Sequence, residues 1–255
     1  MIDCGSIEFA QARIGARHGE RVREGEWQRI ETLRELGPLL ELVRATSLRP
    51  WLAGIDAGSD SHRIESALRE RWRAVVAEVA GWMPKRWRPA LAWWATLPDL
   101  AALQHLARGE EPAEWMRDDD AWQALCAAMP ASRAALLAEG PLAALSAGWS
   151  TPQALAQLWH AEWRRRWPDR RRVDGDMLEP LARAWIAHER RFAAAQSSEG
   201  WLLRASVRAQ LVVLLRRAAL QPAAAFIHLV LCAIDLERLR AELLRRVVFG
   251  HWKAA

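Results

Sequence analysis

The sequence predicts an all-α protein. Ala, Leu, Arg, Glu and Trp dominate the 255 residues, whereas there are only 14 Gly and 12 Pro. The dominant residues are mostly good helix formers, and the β-branched residues typical of strands are few. Apolar residues also recur at steps of three and four over long stretches, which is the period of an amphipathic helix. A chain of this length can bury a sizeable core as one large domain or two modest ones.

Capping and breaking residues divide the first part of the chain into helices. Ser6 is placed to cap the first helix, and Ser61 to cap a long one that Pro84 ends. Residues 47–61, rich in Gly and Ser, are predicted to form a loop or broken turn. The helices predicted in this part cover residues 7–22, 26–36, 39–44, 62–82 and 86–95.

The rest of the chain is divided in the same way. Pro98 and Asp99 open a helix that Gly109 stops, because Pro and an acid both favour a first helical turn. Residues 110–120 are polar and are expected to be exposed. The further helices are predicted over residues 120–129, 131–138, 141–147, 152–166, 177–195, 207–219 and 223–249, the last of them ~40 Å long.

Composition excludes several classes of protein. Lys and Arg exceed Asp and Glu by 36 − 31 = 5, a mildly basic balance that is far from that of a dedicated nucleic-acid binder. Cys4, Cys126 and Cys232 form no C-x-x-C motif, so free thiols are expected. No signal peptide is apparent, and the longest apolar run, 223–234, is about half the ~20 residues that span a bilayer. The chain has 16 Trp and no Tyr, so Trp takes positions where other proteins use Tyr, and most of the Trp residues are expected in the core.

Two short patterns occur twice. Asp-Leu-x-x-Leu is found at 99–103 and 235–239, and a Gly-Pro-Leu segment ending in Ser at 37–47 and 140–150. Repeats in a consistent order are typical of similar helical units built by internal duplication. The second Asp copy interrupts an apolar helix with charge. Asp235, Arg238 and Arg240 would lie on a solvated helix face, line an inner wall, or join neighbouring helices through buried ion pairs.

Motifs spread over most of the chain carry a family resemblance. The N-terminal helix contains an aromatic residue and arginines. A segment with a Thr and an aromatic residue follows it. The central and the last helix each contain an acidic residue. The residues that carry these features are Phe9, Arg13, Arg17, Thr46, Trp51, Leu52, Asp99, Leu100, Leu103, Pro222, Phe226, Asp235, Leu239 and Arg240. On these residues the chain resembles the C/d family of V-type ATPase subunits, whose archaeal and bacterial members are designated C and whose eukaryotic members are designated d.

The chain departs from that family in two respects. Family members have Asn before Leu-Arg in the last helix, where this chain has Arg238, and the central copy has Ala102 in that place. The chain is also shorter than typical members, mostly between the central and last helices. It is therefore identified as a divergent and shortened relative.

The resemblance implies both a fold and a role. The fold is a pseudo-threefold assembly of similar helical bundles forming a funnel, with units at 1–97, 98–176 and 177–255. The role is that of a non-catalytic coupling subunit that links the central-stalk subunits to the membrane proteolipid ring during ion transport. Such a subunit lies at the cytoplasmic face of the inner membrane and needs no cofactor, metal or small-molecule substrate. Asp99, Asp235, Arg238 and Arg240 would bind a partner or form structural ion pairs.

An Arg-rich segment supports an alternative. Residues 163–172 contain six arginines, among them Arg164, Arg165 and Arg166, flanked by Trp. Arg and Trp together can bind a phosphate backbone and stacked bases, whereas the simpler interpretation is a solvated helix end. No nucleic acid is expected if the family resemblance holds, and contact with an acidic stalk subunit or with lipid headgroups is then a third possibility.

Signatures of enzymes are missing from the sequence. There is no glycine-rich phosphate loop, and His160-Ala161-Glu162 lacks the P-C-x-x-C that a zinc deaminase requires. His188-Glu189 has no second His at metalloprotease spacing, and the seven histidines do not cluster. No catalytic residue is predicted. An enzyme remains only a third hypothesis, because missing motifs are weak evidence.

Overall fold

The computed structural model describes residues 6–168, 177–196 and 199–249, and all regular structure in these ranges is helical, which confirms the all-α class. Six short 3-10 turns in the same ranges connect some of the helices. The α-helices are α1 (Ile7–Gly19), α2 (Glu24–Thr32), α3 (Leu36–Arg44), α4 (Ser61–Trp82), α5 (Arg88–Ala92), α6 (Asp99–Ala107), α7 (Glu114–Asp118), α8 (Asp120–Ala127), α9 (Arg133–Glu139), α10 (Leu155–Arg165), α11 (Leu178–Ala194), α12 (Gly200–Arg217) and α13 (Ala223–Phe249).

Side-chain caps begin the first and the fourth helix. The Ser6 hydroxyl accepts a hydrogen bond from the Phe9 amide at 3.1 Å, as predicted. The prediction for α4 was wrong by one residue, because Ser61 is already helical and the cap is Asp60, whose Oδ1 accepts from the Arg63 amide at 2.7 Å. Both caps satisfy amides that have no partner inside the helix.

The polar segment at 110–120 is not wholly exposed. It contains α7, whose Trp115 and Met116 are buried against α4 and α8. The Trp115 ring meets Trp122 edge to face, with centroids 6.0 Å apart. The expectation of an exposed segment was therefore wrong, because two apolar side chains among the charges are enough to bring it onto the core.

The two Gly-Pro-Leu segments differ in local structure. The first begins α3, whereas the second is a 3-10 turn over Ala143–Gly148 that packs against α9 and α10. A Cβ on Gly148 would lie 2.7 Å from Leu158 Cδ1 and 3.0 Å from Leu155 Cδ2, so a side chain here would require these leucine side chains to move. The repeat therefore specifies a helical turn in both places but not the same type of helix.

Helix α13 lies at the centre of the molecule. Its first nine residues, 223–231, are all buried, and the helix packs against α1, α4 and α12. A helix that is apolar on every side is stable only when other helices surround it. Elements from both ends of the chain therefore share one core around α13.

Tryptophans fill much of that core. Trp94 and Trp163 meet edge to face with ring centroids 5.2 Å apart, and Phe226 of α13 lies 5.3 Å from Trp163. The Trp159 Nε1–H donates to the Thr96 hydroxyl at 2.8 Å, which satisfies the polar atom that this buried ring carries. The expectation that most tryptophans are core residues is confirmed for the described ranges.

Candidate functional site

Asp235 lies where α13 meets α12 and the segment after α1. Its side chain is almost wholly buried, and its two oxygens bind two different arginines. Arg21 Nη2 lies 2.5 Å from Oδ2, and Arg208 Nη1 of α12 lies 3.0 Å from Oδ1. Arg21 also donates to the Leu231 carbonyl at 2.6 Å. Because Asp235 pairs with guanidinium groups from two elements, it joins both of them to the central helix.

Arg238 lies one turn further along α13. It donates to Glu31 Oε1 from Nε at 2.8 Å and to Glu24 through Nη1 and Nη2 at 3.0 and 2.8 Å. Its guanidinium also lies between the rings of Trp27 and Trp201, 4.6 and 4.0 Å from their centroids. Burial lowers the pKa of Arg238, but the hydrogen bonds to the two glutamates outweigh this effect and raise it. The guanidinium therefore stays charged and joins α2 to both α12 and α13.

Two further arginines of α13 bind other elements. Arg240 donates from Nε to Glu65 of α4 at 2.7 Å. Arg246 is buried and donates to the Ile30 carbonyl at 3.0 Å and to Glu242 at 2.6 Å. The charges that interrupt the apolar sequence of α13 thus lie where it contacts its neighbours. We refer to the set Arg21, Arg208, Asp235, Arg238, Arg240 and Arg246 with their carboxylate partners as the α13 ionic seam.

Asp99 is the acid of the other Asp-Leu-x-x-Leu copy, at the first turn of α6. It is buried, and Arg69 of α4 donates to its Oδ1 at 3.0 Å and to the Pro98 carbonyl at the same distance. The Arg69 guanidinium lies 3.8 Å from the centroid of Trp115. Burial raises the pKa of Asp99 to about 6, because loss of hydration outweighs the attraction of Arg69 and Arg73.

The two copies of the motif share one feature. In each, a buried aspartate binds an arginine of another helix. In the central copy that same arginine, Arg69, stacks on Trp115, whereas in the last copy the arginine that stacks on tryptophan is Arg238 of α13 itself. The copies also differ in that Asp235 has two arginine partners and Asp99 one. In the central copy the position of Arg238 is taken by the buried Ala102, so α6 itself carries no arginine that could stack on a tryptophan.

The predicted Arg cluster is occupied by internal ion pairs. Arg165 Nε and Arg166 Nε lie 2.6 and 2.7 Å from the two oxygens of Glu162, and Arg164 donates to Glu179 of α11 at 3.2 Å. Arg166 also lies over the Trp93 ring. Arg170, Arg171 and Arg172 fall outside the described residues. Binding of a phosphate backbone here would require Arg164, Arg165 and Arg166 to exchange carboxylate partners for phosphates.

Histidines and cysteines form no constellation typical of an enzyme in the described ranges. No group of three or more His, Cys, Asp or Glu that could hold a metal ion occurs there. Burial lowers the pKa of His228 to about 3 and raises that of Cys232 to about 11, so the imidazole stays neutral and the thiol protonated. His160 Nε2–H donates to Glu189 Oε2 at 2.7 Å beside Trp159 and Trp163, and no nucleophile among the described residues accompanies this pair.

A groove of about 680 Å³ lies beside the ionic seam, between α2, α12 and α13. Its lining includes Trp201, Arg204 and Ala209 of α12, which the sequence analysis did not single out. The predicted helix there began only at residue 207, whereas α12 begins at Gly200. The sequence did contain a signal for a second apolar surface on this helix. Residues 201–215 are apolar on several sides of the helix, whereas a helix that only faces the core has a single apolar stripe.

Comparison of the chain with protein-family models, with curated proteins and with solved structures gives no match. The resemblance to the V-type ATPase C/d family therefore rests on the motifs in the sequence and stays a prediction. None of the described helices is both long enough and apolar enough to cross a membrane.

Proposed function

We propose that this protein is a non-catalytic coupling subunit of a rotary V-type ATPase, which links the central stalk to the membrane proteolipid ring during ion transport. One observation carries the proposal. Asp99 and Asp235, the acids that match the family's central and last helices, are both buried and both bind an arginine of another helix. Both acids thus take part in a buried ion pair to another helix, although Asp99 opens α6 and Asp235 lies in the middle of α13.

The packing of the chain suits such a role. A subunit that transmits torque must not let its helices slide past one another, and close-packed interiors are stiff. Tryptophan contacts join α10, α13 and the turn at Trp93–Thr96, and the α13 ionic seam joins α13 to α2, α4 and α12. Breaking the buried Arg21–Asp235 pair leaves a charge without its partner, which disfavours opening at this point.

The proposal includes the arrangement of the helices in three similar units. The units 1–97, 98–176 and 177–255 would form a pseudo-threefold funnel at the cytoplasmic face of the inner membrane, with the central-stalk subunits and the proteolipid ring as partners. The buried ion pairs of Asp99 and Asp235 support it, as two related units would each place such a pair between their helices. An experimental structure of the assembled complex tests this arrangement by superposition of the units.

Co-purification tests the function. The full chain, tagged at its C-terminus, is expressed in the organism that encodes it, and its membranes are solubilised in a mild detergent. We expect proteolipid and central-stalk subunits to elute with the chain in one native complex. The matched control carries Met129→Ser, at an exposed position outside the Arg-rich segment, and should behave identically. Recovery of both forms only as a lone monomer, from membranes and cytosol alike, would refute the proposal.

A further inference from the structure

Helices α1, α4, α12 and α13 share one end of the bundle that they form. The turn at 218–222 joins α12 to α13 here, and the Leu220 amide in this turn donates to Gln11 Oε1 of α1 at 3.2 Å. Helix α4 ends here at Trp82, whose ring centroid lies 6.2 Å from that of His228 in α13. The surface at this end is thus built from elements that are distant in the sequence.

The segment after α4 belongs to the same end. Trp87 meets Phe226, in the first turn of α13, edge to face with ring centroids 6.1 Å apart. The Arg88 guanidinium turns back toward α4, where its Nε donates to the carbonyl of Met83 at 3.3 Å. Residues 85–88 are therefore anchored beside the start of α13.

Exposed basic side chains are concentrated at this end, on the segment after α4 and in the last turn of α12. Five of them have no carboxylate partner within the ranges that the structure describes. They are Lys85, Arg86, Arg88, Arg216 and Arg217. We refer to these five residues together with Leu220 as the basic end.

Carboxylates close to the basic end do not cancel its charge. Glu78 Oε1 of α4 lies 3.1 Å from Arg17 Nη2 and 3.7 Å from Arg13 Nη2, so one acid serves two arginines. Glu8, in the first turn of α1, adds one negative charge, which at most balances the second of these arginines. Glu179, at the start of α11, already pairs with an arginine of α10. The five basic side chains of the basic end therefore keep their positive charge uncompensated by these acids.

Leu220 has an unusual conformation for a leucine. Its side chain is 59% exposed, and it alone among the non-glycine residues of the described ranges has a positive φ, of 58°. A leucine is strained in this conformation, whereas glycine adopts it freely. Strained residues of this kind are concentrated at functional sites. Because the exposed side chain adds little to the core, we look for its contact outside the chain.

Hydrogen bonds hold the turn that carries Leu220. Besides the bond from its own amide to Gln11, the Met177 amide donates to Gln221 Oε1 at 3.0 Å. Ala218, at the start of the turn, is buried. The turn is thus fixed to α1 and to the start of α11, so little ordering is needed when the leucine meets a partner.

A bilayer with anionic headgroups matches both features of the basic end. Its surface attracts basic side chains, and apolar groups gain by entering the boundary between headgroups and acyl chains. A nucleic acid matches only the charge, because its bases stack on exposed aromatic side chains, whereas Trp82 and Trp87 at this end are buried. An exposed aliphatic residue among basic ones therefore favours lipid.

We propose that the basic end binds the surface of an anionic lipid bilayer, with Leu220 inserted at the level of the headgroups and the five basic side chains against lipid phosphates. The protein would rest on the membrane without crossing it. Five charges suffice for reversible binding, because each Lys or Arg near an anionic surface raises the affinity about fivefold. The inference does not depend on the proposed coupling role, since it concerns the purified chain and lipid alone.

Sedimentation with vesicles tests the inference. The purified full-length protein is mixed with vesicles of phosphatidylcholine alone, or with vesicles in which about a third of the lipid is phosphatidylglycerol. We expect it to partition at least about tenfold more strongly onto the anionic vesicles, and less strongly as salt is added. Equal partitioning onto both kinds of vesicle, or none onto the anionic ones, would overturn the proposal.

Leu220→Gly tests the insertion. Glycine adopts the φ of this turn without strain, so the variant is expected to be at least as stable as the wild type, which thermal unfolding verifies. Its partitioning onto anionic vesicles should fall about fivefold or more, because the apolar side chain is missing. The matched control is Phe249→Ser, which removes an exposed apolar side chain at the far end of α13 and should leave partitioning unchanged.

A double variant tests the charge. Arg216→Gln with Arg217→Gln should weaken partitioning onto anionic vesicles about tenfold or more. The control double variant, Arg29→Gln with Arg49→Gln, loses the same charge from exposed positions in α2 and in the turn after α3, and should bind nearly as the wild type does. Equal weakening in the two double variants would show that net charge alone attracts the protein, which would contradict the assignment.

The same variants separate lipid from other polyanions. If binding survived in Leu220→Gly and was lost in Arg216→Gln with Arg217→Gln, the basic end would attract anions without insertion, and the proposal would be wrong. Displacement of the protein from vesicles by a duplex oligonucleotide, with tighter binding to the oligonucleotide than to lipid, would assign the basic end to nucleic acid instead.

Discussion

Arg21 and Asp235 form a buried ion pair in which Nη2 lies 2.5 Å from Oδ2, so that the segment after α1 is joined to the last helix of the chain. Arg208 binds the other oxygen of the same carboxylate. One carboxylate thus pairs with two guanidinium groups, of which Arg21 has little access to water and Arg208 more. The elements that meet here come from both ends of the sequence, and these ion pairs couple them.

Replacement of Asp235 by Asn tests that coupling. The substitution keeps the shape of the side chain but removes its charge, which leaves Arg21 and Arg208 without compensation. We expect the free energy of unfolding, measured in urea at pH 7, to fall by about 3–5 kcal/mol. Arg165→Ala, whose guanidinium is largely exposed, should leave it nearly unchanged. Equal stabilities of the two variants would show that the pair does not join the helices as described.

Asp99 should make stability fall as the pH rises. Its pKa in the folded protein is about 6, above the ordinary value of 3.8, so the folded state holds the proton more tightly than the unfolded state. This contribution is present below pH 3.8 and is lost as the pH rises through 6. Relative to Asp99→Asn, the wild-type protein should lose about 3 kcal/mol between about pH 3 and pH 8. Urea unfolding at a series of pH values measures the difference, and parallel curves for the two proteins would contradict it.

His228 should have the opposite dependence on pH. Burial and neighbouring arginines lower its pKa to about 3 from the ordinary 6.5, so the folded state disfavours the protonated imidazole. Its contribution is present above pH 6.5 and is lost as the pH falls toward 3. Relative to His228→Gln, the wild type should lose about 1.4 kcal/mol for each pH unit below about 6.5. A nuclear magnetic resonance titration that gave the imidazole an ordinary pKa would refute this prediction.

A side chain at Gly148 should lower the stability of the protein. An alanine Cβ there would lie 2.7 Å from Leu158 Cδ1, so α10 would have to shift or Leu158 change its rotamer. We expect Gly148→Ala to lower the free energy of unfolding by about 1–3 kcal/mol. Gly140→Ala is the matched control in the same repeat, since its nearest neighbours are backbone oxygens at 3.6 and 3.7 Å, an ordinary contact. A neutral effect at Gly148 would mean that the turn and α10 pack more loosely than described.

Prediction from the sequence succeeded where the signal is local. Ser6 lies directly before the start of α1 and Pro222 directly before that of α13, whereas the end of α1, predicted at residue 22, is at Gly19. The period of apolar residues identifies a helix without knowledge of its neighbours. The helix at Ala223–Phe249 was predicted with the bounds that the structure has. The larger errors fell on elements whose form depends on distant contacts, such as α7, the start of α12 and the 3-10 turn before Gly148.

The candidate site could be predicted only in part. Asp99, Asp235, Arg238 and Arg240 stood out because they interrupt or open apolar helices. Their partners did not, since Glu24, Arg69 and Arg208 look like ordinary charged residues of amphipathic helices. The sequence left open whether these charges face solvent, line a wall or pair inside the protein.

The sequence by itself determined the helical class, the position of most helices and the presence of charge at chosen points of an apolar core. Only the tertiary structure decided that Arg21 and Arg208 share Asp235, that Arg238 lies between two tryptophans, and that α12 leaves a groove beside α13. The physical reason is the distance along the chain over which each interaction acts. Helix formation depends on neighbours along the chain, whereas the cost of a buried charge is set by which side chains from other helices surround it.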